Sequence, residues 1–202
     1  SALIDQVTNP DAKVLPREKK IAMVHLARSG DPKAFHALVA ALLGQGRPSY
    51  PLKAAAPDRQ TPNWTSTIVA QNADMRPFAA WAIGKFAELH PGAMADEDRA
   101  LAVQRLAAAL DMPDNFLTLS SAQAVSRLSR AEDHEIQDLL LASLAKKIAV
   151  ESNGRSVMSG MFVDPMSRSV LMDALGRIRD IQTSPERRRS IEESVVSVLV
   201  TV

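Results

Sequence analysis

Four histidines, His25, His36, His90 and His134, and no cysteine are present in 202 residues, so any metal site or acid–base centre here would draw on imidazole and carboxylate alone. No histidine joins carboxylates at helical spacing into a recognisable ligand set, and no metal or cofactor site is expected. Carboxylates cluster as "DEDR" at Asp96 to Arg99 and as "EDHE" at Glu132 to Glu135. Paired acids of this kind can exchange protons with a substrate, but both clusters fall at helix starts, where acids complement the helix dipole. Capping is the simpler role. The chain has no P-loop, no G-x-G-x-x-G and no G-x-S-x-G. The glycosylation triplet "NWT" at Asn63 to Thr65 is too short a pattern to count. No catalytic residue is expected, and the chain reads as a binding protein rather than an enzyme.

The elements that would carry a binding surface are helices. Apolar residues follow helical spacing over most of the chain, and no stretch alternates convincingly with period two. The spacing predicts eight helices: Arg17 to Ser29, Pro32 to Leu43, Arg76 to Leu89, Glu97 to Leu110, Phe116 to Arg130, His134 to Glu151, Met166 to Asp180, and Pro185 to the C-terminus. An acid or hydroxyl followed by proline marks three starts, Asp31 with Pro32, Asp164 with Pro165 and Ser184 with Pro185. Two stretches, 44–74 and 152–164, break the pattern and read as insertions.

Alternate helices share a column when aligned on Gly84, which sits inside "FAAWAIGKFAE" where glycine costs about 1 kcal/mol relative to alanine. The segments are "HLARS", "AIGKF", "AVSRL" and "ALGRI". An aliphatic residue (Leu26, Ile83, Val125, Leu175) precedes a small one (Ala27, Gly84, Ser126, Gly176) and then a base (Arg28, Lys85, Arg127, Arg177). The aliphatic positions are 57, 42 and 50 residues apart, and the longer gaps contain the insertions. A unit of about 42 residues suits a helix pair. The small residue is expected where helices cross closely, since a missing Cβ lets backbones approach.

"AAWAIGKFAEL" and "LMDALGRIRDI", each followed by a second helix such as "RALAVQRLAAAL", resemble the HEAT-like repeats. The resemblance implies an all-α superhelix, a HEAT/armadillo-like solenoid of about four helix pairs spanning residues 1–202, and a scaffold that binds a protein partner. A tetratricopeptide fits less well, because the only tyrosine, Tyr50, lies in the first insertion. The alternatives are a nucleic-acid binder of the HEAT-like DNA glycosylase type and an accessory or chaperone-type protein of a larger complex.

Composition bounds these readings. Twenty-four basic residues against 23 acidic leave a formal charge of +1, which gives no overall field toward nucleic acid. No apolar run reaches the roughly 20 residues of a membrane helix. The chain begins at Ser1 without the regions of a signal peptide, which reads as a processed, tagged or trimmed N-terminus. A Cys-free chain leaves the compartment open, with the cytoplasm slightly favoured.

Partner contacts are expected at two kinds of place. The basic column Arg28, Lys85, Arg127 and Arg177 either grips an acidic partner or forms a solvated face. The insertions offer Tyr50 and Trp64 in the first and Met158, Met161 and Phe162 in the second, side chains that either anchor a partner or cover the chain's own core. The closing "SVVSVLVTV" has little polar cover. It is expected to meet further chain beyond Val202, the long insertion or another copy, so that self-association through the last helix is one outcome.

Overall fold

The computed structural model describes residues 2–9, 14–42, 75–110, 115–152 and 164–200, without the side chains of 115, 146–152 and 164–167. The described residues form nine α-helices and no strand. They are α1 (Ala2–Thr8), α2 (Pro16–Ser29), α3 (Pro32–Leu42), α4 (Arg76–Leu89), α5 (Asp96–Leu110), α6 (Asn115–Leu128), α7 (His134–Ser152), α8 (Asp164–Ile181) and α9 (Pro185–Val200). The all-helical class is the one the periodicity predicts. The short helix α1 is an addition, since seven residues with one buried side chain, Val7, give too little pattern to read. The chain divides into two compact units, Ser1–Ala93 and Met94–Val202.

In the first unit α4 packs on both α2 and α3, and α1 packs against α2 and α3. Its core comprises Met23, Leu26, Phe35, Leu38, Ile83 and Phe86, all essentially without solvent contact. The rings of Phe35 and Phe86 lie 5.2 Å apart and tilted, joining α3 to α4. Helix α2 opens with Pro16, whose missing N–H costs nothing there, and the Leu15 N–H donates to the Glu18 carboxylate at 3.0 Å. It ends at Gly30, with φ of 67°, a left-handed conformation that glycine adopts without penalty. Asp31 then caps α3 as expected, its carboxylate accepting from the Lys33 N–H at 2.9 Å.

In the second unit α5 packs on α6, α6 on α8, α7 on α8, and α9 against both α7 and α8. Leu106, Leu117, Val125, Leu140, Leu144, Leu171, Leu175 and Ile178 fill the space between them. Ser184 caps α9 through its hydroxyl, which accepts from the Arg187 N–H at 3.3 Å. The Asp164 side chain lies outside the described residues.

Buried aliphatic residues of the column share one environment. Leu26, Ile83, Val125 and Leu175 are all 3% exposed or less. Of the small residues, Ala27, Gly84 and Ser126 are buried as a close crossing requires. Gly176 departs from that expectation: a Cβ built on it meets nothing within 4 Å. It borders an open groove instead of a tight crossing.

Candidate interaction surface

The basic column is placed in two pairs. Arg28 and Lys85 stand on the packed helices α2 and α4, Arg127 and Arg177 on the packed helices α6 and α8. Arg28 is exposed at the end of α2. Lys85 donates to Glu88 at 3.0 Å and Arg177 to Asp173 at 3.3 Å, so each of these two cations carries a neutralising acid one turn away. Such exposed pairs contribute a few tenths of a kcal/mol and leave the heads accessible to a stronger anion. Arg127 is half-buried. The anchors Tyr50, Trp64, Met158, Met161 and Phe162 lie outside the described residues.

Two surface features were not legible as such in the sequence. One is an aromatic pair on α4: Phe78 and Trp81, one turn apart and half-buried, have ring centroids 5.0 Å apart, with the Lys20 ammonium of α2 lying 6.0 Å from the Phe78 centroid. Their i, i+3 spacing is the only sequence signal for it. The other is a groove of about 250 Å³ between α8 and α9, with walls of Met172, Leu175, Ile191, Val195 and Val196 and its floor at Gly176. Arg179 and Glu192 also line it and join the two helices through a 3.2 Å ion pair. Arg179 is held above the ordinary arginine value first by its bond to Asp180 and then by Glu192.

The acidic clusters act as structural ties. Arg99 on α5 donates from Nη1 to Asp133 at 2.6 Å and to the Leu128 carbonyl at 3.1 Å. Asp133 also accepts from the Arg130 N–H at 2.8 Å, and the Arg130 guanidinium bonds to Asp96 at the start of α5. Two crossed Arg–Asp pairs thus fasten the α6–α7 turn to α5. The Arg130 bond and charge hold the Asp96 carboxyl below its ordinary value.

A second tie involves His90, the residue that follows the last turn of α4. His90 Nε2 donates to the Arg28 carbonyl at 3.1 Å, its ring lies 5.3 Å from that of Phe86, and it packs against Gly30. A base with its proton placed this way orients a helix end, and among the described residues no second polar side chain bonds to it to make an acid–base pair. Lys19 is buried within α2, and that burial lowers its pKa. Among the described residues no three histidines or acids gather into a cation site. No described helix is long and apolar enough to cross a membrane.

No family model, curated protein or solved structure matches the chain.

Proposed function

We propose that the chain is a protein-interaction scaffold built from HEAT-like helix pairs, without catalysis of its own. The observation that carries this reading is the packing of the column-bearing helices on one another within each unit, α2 on α4 and α6 on α8. The matching residues Leu26 and Ile83, Val125 and Leu175 are buried in equivalent roles. Repetition of one helix pair supports an α-solenoid, whose exposed helix faces form extended binding surfaces.

The bases at Arg28, Lys85 and Arg177 remain at least partly accessible at one position per repeat, which fits a partner presenting spaced acids. Their pairing with neighbouring acids and the near-neutral net charge favour a protein over a nucleic acid.

The test is affinity capture by the tagged chain beside an Arg28→Glu/Arg177→Glu variant, together with a gel-shift titration against duplex DNA and RNA. A protein retained by the wild type and released by the variant supports the scaffold. A salt-dependent shift of nucleic acid by the wild type, lost in the variant, overturns it in favour of nucleic-acid binding.

A further inference from the structure

The near-neutral chain is charged unevenly. Residues 1–93 hold 11 Lys and Arg against 7 Asp and Glu, and residues 94–202 hold 13 against 16, which together make the 24 and 23 of the whole. Helices α2 and α4 carry six of the first unit's bases and only two of its acids, Glu18 and Glu88. Arg17, Lys20, Val24 and Arg28 follow one stripe of α2 at spacings of three, four and four residues. None of its three cations has a carboxylate partner among the described residues. A stripe of α4 outside the core reads Phe78, Trp81, Lys85 and Glu88.

Two contacts set these stripes side by side. Lys20 Nζ lies 6.0 Å from the Phe78 centroid near the start of α4, and the Arg28 carbonyl accepts from His90 just past its end. The helices therefore run in the same direction, with Lys20 beside the ring pair and Arg28 at the Lys85 end. A half-buried aromatic pair beside cations that lack counter-ions is matched by carboxylates around one apolar side chain. The carboxylates supply the missing charge, and the apolar group displaces water from the rings. A phosphate backbone matches it less well. Glu88 closes the stripe with the wrong sign for phosphates, and the Phe78 ring already has Trp81 and Lys20 as neighbours, where a stacking platform for bases needs open ring faces.

We propose that the α2–α4 face binds a short acidic segment of a partner protein, its carboxylates at Lys20 and Arg28 and one apolar side chain against Trp81. From Phe78 to Glu88 the stripe is about 15 Å long, the reach of roughly five residues of extended chain. This rests on the scaffold reading and names what the partner presents to the first unit.

The test is fluorescence anisotropy of the full chain against a labelled peptide of about eight residues, with Phe at its centre and Asp and Glu on either side. It is run beside the same peptide with Asn and Gln for its acids, the same with Ser for its Phe, and a labelled single-stranded oligouridylate. The acidic peptide should bind with a Kd of about 10 to 300 μM at low ionic strength, weakening with added salt, and the amide peptide at least ~tenfold more weakly. The Ser peptide should bind the wild type at least ~threefold more weakly, and Trp81→Ala should erase that difference. Lys20→Glu should weaken the acidic peptide at least ~tenfold with an unchanged helical circular dichroism spectrum. Equal binding of the Phe and Ser peptides by the wild type overturns the contact with Trp81 even where the alanine variant fails to fold. A wild type that ignores the acidic peptide up to ~1 mM overturns the proposal alone when capture of a partner through Arg28 and Arg177 persists, and loss of both removes the scaffold reading with it. Peptide binding that Lys20→Glu leaves intact overturns the proposal as well, since its contact lies elsewhere. Oligouridylate held more tightly than the peptide overturns it in favour of nucleic acid.

Discussion

Ser121 is a hydroxyl out of place: it is fully buried on α6, and its Oγ has no hydrogen-bond partner among the described residues. An unsatisfied buried hydroxyl costs about 1 to 3 kcal/mol of desolvation, whereas alanine at that helical site has the better propensity and no polar atom. Ser121→Ala is therefore expected to stabilise the protein by about 1 kcal/mol, read from the urea midpoint. Asp96 behaves in the opposite sense. Its carboxyl is depressed below its usual 3.8 by Arg130, so the folded state releases that proton more readily than the unfolded chain does. The stability this supplies is present above 3.8 and is lost as pH falls through the lower folded value. Asp96→Asn should flatten that acid limb in a urea series between about pH 2 and 5, leaving the remaining carboxylates to shape it.

At the scale of the element, three glycines on helices or at their ends should respond differently to a side chain. Gly176→Ala meets nothing within 4 Å and replaces a poor helix former, so a gain of about 1 kcal/mol is expected. Gly84 is buried in α4, and Gly84→Leu should cost roughly 1 to 3 kcal/mol by overpacking despite better propensity. Gly30 combines φ of 67° with a built Cβ only 3.1 Å from His90 Nδ1, so Gly30→Ala loses on both counts and should displace the His90 ring. Thermal unfolding of the three variants ranks them directly.

The turn between α6 and α7 offers a further test of an element held by charge. Arg99 and Asp133 have side chains only 13% and 18% exposed, so removing one partner strands the other. Asp133→Ala should cost about 1 to 3 kcal/mol, and the Arg99→Met/Asp133→Ala double variant should cost less than the sum of the singles.

For the whole molecule, the division into Ser1–Ala93 and Met94–Val202 gives each unit a separate probe. Trp81 stands on α4 of the first unit and Trp64, outside the described residues, falls in the same stretch of sequence, while helices of both units contribute to circular dichroism. Phe86 is completely buried against Phe35, and Phe86→Ala opens a cavity worth about 3 to 5 kcal/mol. Its tryptophan-fluorescence midpoint in urea should fall further than the midpoint of the helical signal. Coincident midpoints would mean that the two cores unfold as one.

The helical class, the positions of the principal helices and the buried aliphatic column were legible in the sequence, because 3.6-residue periodicity and caps such as Asp31 and Ser184 are local properties. Helix α1 escaped because seven residues span only two turns. The acidic clusters were legible as helix starts but not as ties: Asp96 and Asp133 find Arg130 and Arg99 across 34 residues, a distance no window of periodicity covers. Gly84 and Gly176 occupy one column, yet one is buried and the other borders a groove. The sequence determines that a small residue stands at each place. Only the tertiary structure decides what faces it, since the atoms within reach of a missing Cβ come from neighbouring helices whose positions depend on packing across the unit.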